Sequence, residues 1–461
     1  MGKIIHIKNA KAIVTCDEND SVYWDSDILI RGQEILEIGP NLEPGNVDET
    51  IDGRDKYIYP GLINTHHHFF QTFVRNTLKV DYVNMTVPEW LDRIYPVFQK
   101  INNDVIYYSS LTAMGDLLKH GCTTAFDHQY CYTTETGTEP VDRQMEAAEE
   151  LGIRYHAGRG TNTLPRSEGS TMPENMLETT DVFIKDCQRL IEKYHDNSKF
   201  SKSQIVVAPC QIMNCYLDTF KESIKLARAY DVRLHTHLGE GENEIIKERW
   251  GKRSLDLCEE MGFIGEDVWF AHGWEMTDDE LDRLAKMKTG ISHCPGPAIL
   301  GGFPIIDMKK MIEKGVVTSL GCDGSATNDS SSLLDSLRIA FLMQSYFSKE
   351  RGGAISPYDL LKISTINGAR TLGRNDIGTL EKGKAADLFM IDMNNIELTG
   401  MHHDPKNMLA RGGVTGATYL TMVGGEVVSR EGRLTKVDEE ELSKKGEKIC
   451  TQVLRNTTDA F

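Results

Sequence analysis

The sequence has 461 residues, with 51 Lys and Arg against 69 Asp and Glu, a formal net charge of −18 and ten cysteines. Because no run of basic residues interrupts this acidic balance, we expect no binding to nucleic acid, and a small neutral or cationic substrate fits better. We find no secretory signal and no Cys-x-x-Cys pair, so we expect a cytoplasmic protein with reduced thiols. No apolar stretch approaches the ~20 residues of a membrane-spanning helix, so we expect no membrane partner.

Both ends of the chain carry short apolar runs separated by turn residues. Near the start these runs are IIHIKNAKAIVT, DILIRG and EILEIGP, and near the end they are ADLFMIDMNN and ATYLTMVGGEVVSREGRLT. This pattern is typical of antiparallel strands. It predicts one small, discontinuous β-sandwich domain built from residues 1–56 and 376–436. A C-terminal helix is predicted over 437–461, with Asp438 as its N-cap.

The segment between these ends, residues 57–375, alternates candidate strands with helix-length stretches. Two of those stretches, DVIYYSSLTAMGDLLKHG and DTFKESIKLARAYD, space apolar residues three and four apart. The repeated order predicts an α/β fold, a (β/α)8 barrel of the TIM type. A doubly wound open sheet is disfavoured because no glycine-rich phosphate loop follows the first strand. The predicted strands are Tyr57–Thr65, Thr123–Asp127, Ile153–Gly158, Gln204–Cys210, Val232–His237, Asp267–Ala271, Thr289–His293 and Val317–Cys322.

The first barrel strand ends in three consecutive histidines. His66 and His68 are two residues apart, so they face the same side of an extended strand while His67 faces the other. A tag or a surface accident is the alternative explanation, but the Pro60-Gly61 pair stands before this strand, deep inside the chain. We therefore predict His66 and His68 as metal ligands.

Three later strands also end in possible ligands or proton carriers. By spacing alone either His235 or His237 could bind metal, and His237 lies nearer the strand end. Glu240 follows within a turn, where a general acid–base would stand, unless it is only a first-turn helix carboxylate. His272 and Asp323 end two further strands. The alternatives are that His272 is only a core histidine and that Asp323 only forms a turn. Because the carboxyl ends of barrel strands share one face, we favour a functional role for both.

Three imidazoles and one carboxylate predict one divalent transition-metal ion per chain. Zinc is the first expectation and ferrous iron the alternative, since these ligands accept both. A second metal would need a bridging anionic group at the end of the fourth strand, where Cys210 stands. Other residues at or beyond strand ends are predicted to contact substrate, although Trp90 could be a core residue and Gln71 a solvated one. The predicted substrate contacts are Gln71, Trp90, His128, Cys210, His293 and Asn328.

The segments PGLINTHHH, HTHLGE, FAHG and GCDGSATND resemble the amidohydrolase superfamily, in its deaminase and chlorohydrolase branch. The subgroup that holds 8-oxoguanine deaminase and the triazine hydrolases is similar in NTHHHFFQ and GCTTAFDHQY. The segments SHCPGPAIL and APCQIMNCY depart from the family pattern on loops expected to touch substrate. The resemblance implies the metal ligands His66, His68, His237 and Asp323, and the catalytic residues Glu240, His272 and Asp323.

This resemblance also implies a function. We expect a metal-dependent hydrolytic deaminase of an amino-substituted heteroaromatic ring, with 8-oxoguanine, converted to urate and ammonia, or a related oxopurine or pterin as the first candidate. The alternatives are a triazine-type hydrolase that expels chloride, thiomethyl or amine, and a non-catalytic barrel protein. Among look-alikes a homodimer or larger homo-oligomer is usual, so we expect one here.

Overall fold

The chain folds into two β-sheets and a surrounding layer of helices. The computed structural model describes residues 2–76 and 85–454. The strands in these ranges are β1 (Ile4–Val14), β2 (Val22–Arg31), β3 (Glu34–Gly39), β4 (Glu49–Asp52), β5 (Lys56–Pro60), β6 (Leu62–Asn64), β7 (Cys122–Gln129), β8 (Arg154–Thr161), β9 (Ser203–Pro209), β10 (Arg233–Leu238), β11 (Val268–His272), β12 (Gly290–His293), β13 (Val317–Leu320), β14 (Leu388–Asp392), β15 (Leu420–Val423), β16 (Glu426–Arg430) and β17 (Arg433–Leu434).

Helices connect most of the barrel strands and pack outside them. Several begin at a side chain that accepts a hydrogen bond from the first turn, such as Asn102 and Thr277. In the described part of the chain they are α1 (Val87–Phe98), α2 (Asn103–Lys119), α3 (Pro140–Leu151), α4 (Thr180–Tyr194), α5 (Leu217–Ala229), α6 (Asn243–Trp250), α7 (Ser254–Met261), α8 (Asp278–Met287), α9 (Pro295–Leu300), α10 (Met308–Lys314), α11 (Ser325–Asn328), α12 (Leu333–Tyr346), α13 (Pro357–Ile363), α14 (Ile366–Thr371), α15 (Pro405–Gly412) and α16 (Glu439–Leu454).

The larger sheet is the predicted barrel. Strands β6 to β13 lie side by side in chain order, and each pairs in parallel with the next. The ends of this sheet meet, because the amide of Thr65 donates to the carbonyl of Leu320 at 3.1 Å and the amide of Asp323 donates to the carbonyl of His66 at 3.0 Å. Strands such as β7, β8 and β11 are buried along their whole length, as parallel strands covered by helices should be.

The smaller sheet is a mixed sheet assembled from both chain ends, as predicted. Its strand order is β17-β16-β15-β14-β5-β1-β2-β3, and β4 also pairs with β1. Apolar residues from early and late strands pack into one cluster, which is separate from the main barrel core. This cluster includes Ile7, Ile30, Leu388 and Met422. This shared cluster holds the two ends of the chain together.

The join between the two sheets differs from the prediction. The strand predicted over Tyr57–Thr65 is two strands, because β5 pairs with β1 and β14 in the smaller sheet while only β6 belongs to the barrel. Gly61 separates them. A Cβ atom there would lie 2.0 Å from Oγ1 of Thr123, so only glycine fits this close approach. The domain limits at 57 and 376 remain a proposal, and this pairing supports placing the first limit after Pro60.

The C-terminal helix begins where the sequence indicates. Oδ1 of Asp438 accepts hydrogen bonds from the amides of Glu440 and Glu441 at 2.9 and 3.1 Å. Residues 455–461, the rest of the predicted helix, lie outside the described residues. None of the helices that the structure describes is long and apolar enough to cross a membrane. All ten cysteines fall in the described ranges and are unpaired.

Candidate active site

Five side chains from the carboxyl ends of four barrel strands meet at one mouth of the barrel. Nε2 of His68 and Nε2 of His66 lie 3.2 and 3.6 Å from Oδ1 of Asp323. Nε2 of His237 lies 3.2 Å from Nε2 of His68. His272 joins them, with its Nε2 4.0 Å from Oδ2 of Asp323. The structure therefore brings together all four side chains predicted as metal ligands.

Hydrogen bonds to Nδ1 orient two of these imidazoles. Nδ1 of His68 donates to the carbonyl of His128 at 2.8 Å, and Nδ1 of His237 donates to the carbonyl of Cys210 at 2.8 Å. A carbonyl can only accept, so in the neutral rings both Nε2 atoms carry lone pairs. Two lone pairs that face each other repel unless a cation lies between them. Partners of this kind are typical of histidines that bind metal through Nε2.

A third imidazole is oriented through another histidine. Nδ1 of His235 donates to the carbonyl of Trp269 at 2.9 Å, which leaves Nε2 of His235 to accept from Nδ1 of His66 at 3.0 Å. Because Nδ1 of His66 carries the proton in this chain of bonds, Nε2 of His66 also carries a lone pair. Both nitrogens of His235 are used in this way, so the geometry favours His237 over His235 as the ligand from β10.

Glu240 lies in the turn between β10 and α6, ahead of the helix rather than in its first turn. Oε1 of Glu240 is 3.3 Å from Nε2 of His272, and its side chain is 14% exposed. The turn is fixed by Glu242, whose carboxylate accepts from the amides of Gly239 and Glu240 at 2.8 and 2.6 Å. The candidate proton carrier is therefore held beside His272.

Burial and neighbouring charges act differently on the acidic and basic groups of the site. Burial raises the pKa of Glu240 well above its ordinary value, and the charges of Asp323 and Glu242 raise it further. Burial would also raise the pKa of Asp323, but the neighbouring His66, His68 and His272 side chains outweigh it and hold that pKa well below its ordinary value. Burial lowers the pKa of His272 to about 4. These shifts favour a proton on Glu240, an ionised Asp323 and a neutral His272.

Two of the site residues have a backbone conformation that is uncommon for residues other than glycine. His272 has φ of 75° and Asp323 has φ of 62°. Such left-handed conformations cost free energy and persist only where the surrounding structure enforces them. Both stand at strand ends where the chain turns, and their side chains enter the cluster.

The cluster fits a divalent metal ion of the zinc or iron type. Nε2 of His66 is buried and meets no hydrogen-bond partner among the described residues, and the same holds for Nε2 of His272. Unpaired buried nitrogen atoms are costly unless another group satisfies them. One ligand atom each from His66, His68 and His237 lies within 4.8 Å of the others, and imidazole with carboxylate is the donor set these metals prefer.

A cavity with two lobes opens beside this cluster. Both lobes are lined by Val87, Trp90, Glu240, Asp323 and Thr327. The first, here called the apolar lobe, is completed by Met85, Trp274, Pro297, Gly301 and Phe303. The second, here called the polar lobe, is completed by His68, Gln71, Leu91, Tyr95, Tyr130, Cys210, Gln211 and His237.

Three of the six predicted substrate contacts line this cavity. Gln71 and Cys210 lie in the polar lobe, and Trp90 lies between the lobes. Trp90 is on α1 and half-buried. The amide of Gln71 is already engaged, because Nε2 donates to the Tyr130 hydroxyl at 3.2 Å and Oε1 accepts from the Ala326 amide at 3.2 Å.

The other three predicted contacts are not among the residues that line the two lobes. Nε2 of His128 donates to the carbonyl of Ala208 at 2.8 Å, and its ring stacks on His237. His293 is fully buried, with no partner for either ring nitrogen among the described residues. The side chain of Asn328 bonds within its own loop, to Cys322 and Ser330. Substrate contact by these three residues stays a prediction.

Several lining residues were missed by sequence reasoning. Tyr130 follows directly after β7, and Trp274 stands two residues beyond His272, so the strand-end rule used for the histidines could have found both. Gln211 stands two residues beyond the end of β9, so the same rule applies to it. Phe303 lies in a loop without a local pattern that distinguishes it, and its place in the cavity depends on tertiary packing.

The chain is similar to known proteins over nearly its whole length. A model of the amidohydrolase family matches residues 57–428. The chain is 46% identical over 452 residues to hydroxydechloroatrazine ethylaminohydrolase from Pseudomonas sp. (strain ADP), with 96% of this chain and 94% of the relative covered. It is 33% identical over 424 residues to 8-oxoguanine deaminase from Pseudomonas aeruginosa, with 91% and 92% covered. The structure of atrazine chlorohydrolase from Arthrobacter aurescens TC1 complexed with zinc superposes with a TM-score of 0.92 at 29% identity, covering 97% and 100%.

Proposed function

This chain belongs to the amidohydrolase family, and we propose that it is a metal-dependent aminohydrolase that replaces an exocyclic amino or alkylamino group on a nitrogen heteroaromatic ring by hydroxyl. The observation that carries this proposal is that three imidazoles, Asp323 and Glu240 lie together beside the two-lobed cavity, whose lobes share Glu240 and Asp323. The aromatic walls of that cavity suit a flat ring.

The metal would be held by His66, His68, His237 and Asp323. When bound there, a divalent ion would lower the pKa of water and so make a hydrolytic nucleophile available at neutral pH. Zinc is supported by the zinc complex of the related atrazine chlorohydrolase. The hydrogen bonds to the Nδ1 atoms of His68 and His237 hold these rings with Nε2 free for the ion.

The protein's own groups would move the protons. Asp323 accepts the proton of the attacking water at a carboxylate oxygen and returns it to the departing amine. Glu240, held by the turn that Glu242 fixes, protonates the ring nitrogen next to the reacting carbon. His272 donates a hydrogen bond to the new oxygen. A carbon–oxygen bond forms and the carbon–nitrogen bond breaks. The amine leaves with the proton that Asp323 took from the water, and the proton on the ring nitrogen returns to Glu240 as the hydroxyl-substituted aromatic ring re-forms.

The relatives favour a triazine ring over an oxopurine. The relative named for the removal of an ethylamino group from hydroxydechloroatrazine is 46% identical, and the 8-oxoguanine deaminase is 33% identical. The sequence alone put 8-oxoguanine first and triazines second. We propose the reverse order, with an amine as the leaving group in both cases.

The test is turnover of a substrate panel by the zinc-loaded protein. Hydroxydechloroatrazine and 8-oxoguanine are each incubated with the enzyme, and the ring product and released amine are identified by mass spectrometry. We expect hydroxylation of the triazine with release of ethylamine. Absence of turnover on every amino-substituted ring would overturn the proposal.

Metal content tests the alternative of a non-catalytic barrel protein. We expect close to one zinc or iron atom per chain after growth with added metal. Less than a few tenths of an atom per chain would favour the non-catalytic alternative. The homo-oligomeric state and the cytoplasmic location stay predictions.

A further inference from the structure

An aromatic wall forms one side of the apolar lobe and touches the candidate catalytic centre. The rings of Trp274 and Phe303 stack with centroids 4.5 Å apart and planes 14° from parallel. Trp274 also packs on His272, with ring centroids 4.6 Å apart, and is 6% exposed. A group that enters this lobe therefore lies on an apolar surface next to the reacting atoms.

Gly301 gives Phe303 the space that its ring occupies. A Cβ atom at Gly301 would lie 2.3 Å from Cε2 of Phe303, which no real contact allows. The φ angle of Gly301 is −82°, a value open to any residue. Glycine is therefore required here by the ring of Phe303 and not by the backbone.

The polar lobe presents hydrogen-bond donors in place of an apolar wall. The Tyr130 hydroxyl accepts from Nε2 of Gln71, so its own proton remains to be donated. The indole N–H of Trp90, between the lobes, is buried and meets no acceptor among the residues described. Heteroaromatic rings and their oxo groups carry the acceptors that such donors lack.

From this division we propose that the apolar lobe is a specificity site for a small alkyl group on the exocyclic nitrogen, so that the enzyme prefers N-alkylamino rings to rings with a free amino group. This inference rests on the proposed function. The lobes meet at Glu240 and Asp323, where the carbon–nitrogen bond is broken, and His68 and His237 line only the polar lobe. A ring held by the polar lobe places its exocyclic substituent against Trp274 and Phe303.

The size of the preference follows from the apolar surface that is covered. An ethyl group adds two carbons to a free amine, and one or two methylenes in an apolar pocket change kcat/KM by tenfold or more. Water adds to the ring carbon with either substrate, and the products differ only in the amine released. The two leaving amines are the same for every variant, so a change in the ratio of the two kcat/KM values between native and variant enzymes reports binding in the lobe.

The experiment uses two hydroxytriazines that are identical except for ethylamino or amino at the reacting carbon. We expect the native enzyme to favour the ethylamino compound at least tenfold in kcat/KM. Phe303→Ala and Gly301→Ala should each reduce this ratio several-fold, the first by removing the wall and the second by displacing it. Tyr346→Ala, at a residue 77% exposed, should leave the ratio unchanged. Calorimetric Kd values for both compounds with metal-free protein should show the same preference.

The outcomes separate this inference from the function on which it rests. If the native enzyme turns over both compounds with ratios near one, the inference is wrong and the proposed function stands. Circular dichroism first shows whether Phe303→Ala and the milder Phe303→Leu are folded. If the native ratio is high and both folded variants leave it unchanged, the assignment of the preference to the apolar lobe is wrong. If neither compound nor any other amino-substituted ring reacts, both fall.

Discussion

Glu240 and Asp323 line the same cavity, but Asp323 contacts the proposed ligands His66 and His68, whereas Glu240 contacts His272, which is not a proposed ligand. We expect Glu240→Gln to keep its metal, because Glu240 is not among the four proposed ligands, and to lose activity by a factor of about 100 or more, because an amide cannot deliver the proton. Metal content per chain and kcat/KM on the same preparation measure both effects.

The matched control for Glu240 is Glu244, four residues later and exposed on α6. Glu244→Gln should keep native activity. Near-native turnover by Glu240→Gln would contradict the assigned role. Loss of metal along with activity would place Glu240 in the coordination sphere instead.

We expect His235 to orient His66 rather than to bind the metal, because both of its ring nitrogens already have hydrogen-bond partners. His235→Leu removes the acceptor for Nδ1 of His66, so we expect metal affinity to fall by about 10- to 100-fold, as is usual when the partner of a ligating histidine is lost. Competition with a chelator measures this affinity. His235→Gln, which can still accept a hydrogen bond, should recover part of the loss. Unchanged affinity in a folded His235→Leu protein would refute this role.

At the residue scale, the meeting of the candidate site residues could be predicted where a residue type and its position at a strand end were enough, and their roles stay predictions. His66, His68, His237, His272 and Asp323 each follow a strand pattern, so the barrel rule alone brings them together. The function of His235 could not be predicted, because its spacing matches that of a ligand. Only the hydrogen bonds to both of its nitrogens distinguish it.

At the scale of elements, α3 and α4 are joined by one acidic residue. Asp142 on α3 accepts from Arg189, Lys193 and Tyr194 of α4. Burial alone would raise the pKa of Asp142, but these bonds outweigh it and lower the pKa to about 2, against an ordinary 3.8. A depressed pKa stabilises the folded state above pH 4, and this contribution is lost as pH falls toward 2.

We therefore expect Asp142→Asn to lower the thermal midpoint at pH 5 and to approach the native midpoint as pH falls through 4 and 3. The loss near pH 5 should correspond to about 1 to 2 kcal/mol, since the site is partly exposed. Thermal unfolding at several pH values gives the comparison. Asp181→Asn, which breaks an exposed pair with Lys185, should show little change at any pH. An equal deficit for Asp142→Asn at pH 5 and pH 3 would contradict the expectation.

Most elements could be predicted because their patterns are local. Helix α2 is predicted over residues 104–121 and found at Asn103–Lys119, and α5 is predicted over 218–231 and found at Leu217–Ala229. The break at Gly61 could not be predicted, because the apolar run continues through it. It arises from pairing with β14, a strand near the other end of the chain.

At the scale of the molecule, a buried ion pair joins the barrel to the smaller sheet. Arg154 of β8 donates to both oxygens of Asp387 at 2.6 and 3.0 Å, and Asp387 also accepts from the amide of Gly424. Arg154→Leu leaves a buried carboxylate without its cation, so we expect a loss of about 3 to 5 kcal/mol. Urea unfolding measures it.

Two further variants make this test specific. Arg154→Leu combined with Asp387→Leu should lose less than Arg154→Leu alone, because no unpaired charge remains. Arg166→Leu, which breaks an exposed pair with Asp92, should cost less than about 1 kcal/mol. Equal losses for Arg154→Leu and Arg166→Leu would show that the buried pair does not stabilise the join.

The single glycine between β5 and β6 has a consequence for biosynthesis. Strand β5, one residue ahead of the strand that carries His66 and His68, pairs with β14 in the register Pro60 to Leu388. Its other neighbour, β1, is made before it, but β14 leaves the ribosome only after most of the barrel has been made, and closing so long a loop is entropically unfavourable. The histidines appear early in the nascent chain, and we expect the pairing of β5 with β14 just ahead of them to form late in folding, so metal capture should follow chain completion.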